Sequence, residues 1–129
     1  MESFVFASSN DIEARDLNSL VRFVGKAGDF YEVVLADKNE LKILFSLLGM
    51  SLPEESMLND SEDFFSVLDC SSFSFPELSA DEFDVFYDEW IDKTGRKSDM
   101  DEYGQLIFIQ GQAAKWNKNN KRFVLRAKP

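Results

Sequence analysis

Four aspartates recur along one stretch of the chain: Asp81, Asp84, Asp88 and Asp92, with Glu82 and Glu89 beside them. Carboxylates at this density suit two kinds of chemistry. In isolated pairs they act as general acid and base or nucleophile. Lined along a helix, they present charge to a cationic partner and speed its encounter. Asp84, Asp88 and Asp92 are four residues apart, so a helix places one about every 6 Å along its axis. Each such like-charge pair destabilises a helix by a few tenths of a kcal/mol, roughly. No Lys or Arg stands between Lys42 and Lys93 to offset them. Asp92 also falls near the helix C-terminus, where the macrodipole disfavours an anion. Pairs on an acidic helix carry no specific signal for acid–base catalysis. The readings that stay open are a solvated face, a face covered by the chain's own basic C-terminus, and an interface for a cationic partner. A second acidic group, Asp60, Glu62 and Asp63, lies upstream. The candidate partner-binding residues are therefore Asp60, Glu62, Asp63, Asp81, Asp84, Asp88 and Asp92.

Other chemistry is largely excluded. The chain has no histidine, so it holds no His-based triad, His zinc site or His-ligated haem. Cys70 stands alone. It forms no internal disulfide and has no histidine to activate it, and it reads as a buried, inert thiol in a reducing compartment. Asp99, Asp101, Gly104 and Leu106 match positions 1, 3, 6 and 8 of a calcium loop. Tyr103 at position 5 and Gln110 at position 12 do not, so a turn before a strand is expected there. Asp92-Lys93-Thr94-Gly95 resembles a phosphorylated-aspartate motif, but Arg96 follows where Thr is needed. Phosphate-cradling glycine loops and nucleophile elbows are absent. No catalytic residue, metal or cofactor is expected, and the chain reads as a binding protein, not an enzyme.

The charge is segregated. Residues 54–92 carry thirteen acids and no base, residues 103–129 six bases and no acid, and the whole chain −10. Globular surfaces normally mix both signs. The basic end interleaves Lys115, Lys118, Lys121, Arg122 and Arg126 with Trp116, a pattern that grips nucleic acid in other settings. The negative whole-chain field argues against that and favours a structural role. With 129 residues and 44% hydrophobic composition, a single globular domain spanning 1–129 is expected. No apolar run reaches the roughly 20 residues of a membrane span. Met1-Glu2-Ser3 lacks a signal peptide's basic start, so a cytoplasmic location is expected.

The positioning elements follow from periodicity and caps. Residues 3–8 and 30–36 read as strands. Asn10 with Glu13 opens a helix carrying Leu17, Leu20, Val21 and Val24. Asp37 with Glu40 opens another, with Leu41, Leu44, Phe45 and Leu48 buried and Gly49 closing it. Asn59 with Glu62 predicts a third helix presenting Phe64, Phe65 and Leu68. Residues 71–78 read as extended. Ser79 with Glu82 caps a fourth helix whose Phe83, Phe86, Tyr87 and Trp90 face the core, turning the aspartates outward. Residues 105–110 and 121–127 read as strands of a C-terminal β-hairpin turning at Lys118–Lys121, with a bulge at Gly111. The expectation is an α+β fold: a small, mostly antiparallel sheet of about four strands with about four helices.

The strand 30–36, the helix 37–49, Leu52-Pro53-Glu54, Asn59 and an acidic helix ending Leu68-Asp69-Cys70 follow one another in a familiar order. Residues 30–70, under a third of the chain, resemble barstar-type ribonuclease inhibitors. The piece Leu48-Gly49 to Leu52-Pro53-Glu54 is similar to a second bacterial immunity superfamily. The resemblance implies a bacterial immunity protein that plugs a toxin's active site with carboxylates standing in for substrate phosphates. The partner expected is a basic protein, a toxin nuclease domain, with no direct nucleic acid and no membrane. The free protein is expected to be a monomer. A nucleic-acid-mimicking phage anti-defence protein, or an accessory or ligand-binding protein whose acidity is incidental, are the alternatives.

Overall fold

The computed structural model describes residues 1–9, 28–58 and 63–128. Their elements run β1 (Glu2–Ser9), β2 (Gly28–Leu35), α1 (Lys38–Leu47), β3 (Glu55–Met57), β4 (Phe64–Asp69), α2 (Ala80–Thr94), α3 (Met100–Ala114) and β5 (Lys121–Ala127). The fold is α+β: five strands and three helices among the described residues. The sheet is open and antiparallel, in the order β2-β1-β5-β4-β3. The helix expected from Asn10 and the cap expected at Asn59 and Glu62 lie outside the described residues.

Alternation along the strands sorts the core into two clusters. Phe4, Phe6, Val33, Leu35, Leu68 and Val124 face the helices and meet Leu41, Leu44 and Phe45 of α1, the aromatic stripe of α2, and Leu106, Ile109 and Ala113 of α3. Val5, Ala7, Val67, Phe123 and Leu125 bury the other face with Leu58 and Phe64. Each fully buried large side chain contributes about 1.5–3 kcal/mol over its exposed state.

Two expected elements change class. Phe64–Asp69 is a strand, not a helix. It lies between β5 and β3, so Ser66, Val67 and Leu68 are all buried. A strand covered on both faces reads as an apolar run and is easily taken for a helix stripe. Residues 105–110 belong to α3, not to a strand. The Asp99 carboxylate accepts from the backbone N–H of Asp101 (2.8 Å) and Glu102 (3.4 Å) and starts that helix. Leu106, Ile109, Gln110 and Ala113 then bury one helical face. β-branched composition pointed the other way, and packing overrode it. There is accordingly no C-terminal hairpin: β5 pairs with β1 and β4, the turn near Asn120 joins a helix to a strand, and Gly111 is helical, not bulged.

Candidate functional site

The acidic face is built by α2. Ser79 Oγ accepts from the backbone N–H of Glu82 (3.2 Å), and the Glu82 carboxylate accepts from that of Ser79 (3.1 Å), which completes a capping box. Those hydrogen bonds hold the exposed Glu82 carboxyl below its ordinary value. Gly95, with φ of 68°, takes the left-handed conformation that ends the helix. The stripe of Phe83, Phe86, Tyr87 and Trp90 is buried. Tyr103 of α3 packs edge-on against Phe83 (5.1 Å) and Tyr87 (5.0 Å). Trp90 Nε1 donates to Glu102 (2.9 Å). These contacts fix the rotation of α2 about its axis, so its other side faces solvent.

Asp81, Asp84, Asp88 and Asp92 are all exposed on that side. At about 100° per residue they share an arc of roughly 80°. Tyr103 donates its hydroxyl to Asp84 (2.7 Å), and that bond holds the phenol above its ordinary pKa. No ion pair reaches the four aspartates among the described residues. Val85, 59% exposed, lies just outside that arc, about 20° beyond Asp92. The aromatic periodicity located the face, but it gave no reason to single out Val85 or the Asp84–Tyr103 contact, whose partners are nineteen residues apart. Asp63 is exposed at the start of β4, on a different element, and no hydrogen bond joins it to α2. Asp60 and Glu62 lie outside the described residues.

The basic residues of β5 and its approach, and Lys38 and Arg96, are not ion-paired to this face. Arg126 of β5 pairs with Glu2 (2.8 Å) and Glu55 (2.7 Å), with its guanidinium 4.4 Å from the Phe65 ring centroid. Lys38 joins Glu55 from α1 (2.7 Å). Arg96, just past α2, grips Glu40 of α1 and Glu102 of α3. Arg122 is buried, and Lys115, Lys118 and Lys121 are exposed without pairing to an α2 carboxylate.

The remaining motifs are structural. Asp99 of the calcium-like loop is the cap of α3. Among the described residues no group of three potential ligands could hold a metal ion. No described helix is long and apolar enough to cross a membrane. Burial, aided by Asp69, pushes the Cys70 thiol up to about 12, which leaves it protonated and unreactive at neutral pH. An apolar cavity beneath the helices, lined by Phe6, Leu44, Phe75 and Ile109 among others, measures about 10 Å³. That is about the room for one water molecule and none for an organic ligand.

Comparison with protein-family models, with curated proteins and with solved structures finds no match for this chain.

Proposed function

We propose that this chain is a small acidic inhibitor, a bacterial immunity protein that binds a basic toxin nuclease and covers its active site. The observation that carries this reading is the outward face of α2: four exposed aspartates in one arc, with no ion pair to them among the described residues, and an exposed valine at its edge. Unpaired like charges along a helix oppose its stability and match the phosphate-binding bases of a nuclease. Val85 adds an exposed apolar contact at the edge of the acidic face. The rigid backing of Tyr103, Phe83 and Trp90 holds the face in one shape before binding, which lowers the entropy lost on association. Asp63, exposed just before β4, is a further candidate contact on a separate element, and Asp60 and Glu62 are candidates from the sequence alone. The barstar-like order of residues 30–70 lends this reading only its strand and helix at 28–47, because Phe64–Asp69, expected there as the end of an acidic helix, is a strand.

The test starts from a pull-down in low salt, repeated in high salt, followed by a nuclease assay on the recovered basic protein. Association of that protein with wild type and with the double variant Asp84→Lys, Asp88→Lys is then timed. The expected result is an association rate at least tenfold slower for the variant, with its melting temperature within a few degrees of wild type. Wild-type association by the folded double variant removes the acidic stripe as the interface.

A further inference from the structure

Strand β5 poses a separate problem. Arg122 on β5 is 4% exposed. Its Nη2 donates to the carbonyl oxygen of Ser71, while its Nε is buried with no acceptor. No carboxylate lies within ion-pairing distance among the described residues. Arg96 and Arg126 each take two carboxylates, and the chain holds 24 acids, so acceptors are not scarce. A buried cation without a counter-charge is strongly disfavoured.

Several donors also stand at this end of β5 among the described residues. Ser8, its register partner on β1, is buried, and residues directly opposite in an antiparallel pair share a face. The Ser8 hydroxyl oxygen accepts from Asn120 Nδ2 at 3.5 Å, which leaves its proton to donate. Trp116, in the same α3–β5 connection, has a buried indole N–H with no acceptor. Lys115, Lys118 and Lys121 stand exposed in that connection. The nearest acid in the β4 turn, Asp69, is exposed and accepts from the backbone N–H of Ser71 (2.9 Å).

From these donors we infer that the α3–β5 end holds an oxyanion site of the phosphate class, centred on the Arg122 guanidinium and completed by the Ser8 hydroxyl. Arginine suits this ligand because its planar fork meets two oxygens at once. The three lysines raise the local anion concentration in an otherwise acidic molecule. The inference is independent of the reading of the α2 face.

Inorganic phosphate at constant ionic strength, balanced with chloride, is the probe. Thermal melts of wild type are expected to rise by on the order of 3–6 °C at tenfold excess over Kd and to keep rising with the logarithm of phosphate concentration. Arg122→Met is expected to melt no lower than wild type without phosphate, since an unpaired buried charge is gone, and to show no such rise. General salt exclusion would move both proteins alike. Saturable broadening of the ³¹P resonance by wild type reads the site without any variant. Wild type that shows neither response, or an Arg122→Met protein that responds equally, overturns the site.

Discussion

Glu55 is a short-strand residue with three partners: Lys38 (2.7 Å), Arg126 (2.7 Å) and the Ser66 hydroxyl. Burial by itself would raise its pKa. The hydrogen bonds from Lys38, Ser66 and Arg126, and the charge of Arg126, outweigh burial and hold the carboxyl at about 2. Because the folded value lies below the unfolded one, Glu55 stabilises the fold fully above the ordinary carboxylate pKa of 4.5. That contribution fades as the pH falls from there towards 2. Glu55→Gln is therefore expected to lower the melting temperature at pH 7 and to flatten its decline between pH 4.5 and 2, as read by thermal melts across that range. None of this was legible beforehand: Arg126 reaches Glu55 across 71 positions and Glu2 across 124. The basic C-terminus read as a patch, and two of its arginines proved to be interior.

Caps and aromatic stripes were the legible features among the elements. The Ser79–Glu82 box, the Asp37 cap and the burial of Phe83, Phe86, Tyr87 and Trp90 all stand as expected, because each depends on neighbours within seven positions. Strand β4 and helix α3 were misassigned for the opposite reason. Their class depends on which distant element covers them, and no local pattern encodes that. The capping box gives the element its prediction. Ser79→Ala leaves the N-terminal N–H groups of α2 without their acceptor and is expected to destabilise the protein by about 1 kcal/mol in denaturant titration. The denaturant slope should stay unchanged. Ser79→Asp, which restores an acceptor at the same position, is expected to recover most of that loss.

At the scale of the molecule, the segregation of charge along the chain becomes a segregation in space by fold class. The acidic run 54–92 supplies an outward helix face, and the basic end supplies a central strand with its cations turned inward or gathered in one connection. Strand β5 joins two halves of the sheet, since β1 with β2 lies on one side of it and β4 with β3 on the other. A protein ending at Asn120 is expected to lose its cooperative melt by circular dichroism, not merely to melt lower, because neither two-stranded remnant is stable alone.

That placement also bears on how the chain is made. A ribosome delivers every other described strand and all three described helices before it delivers Lys121–Ala127. Until then the β1–β2 and β3–β4 pairs each expose an unpaired edge, a template for joining the wrong chain. The fold's most exposed moment is thus in its synthesis, and it closes only when the strand that joins the two pairs arrives.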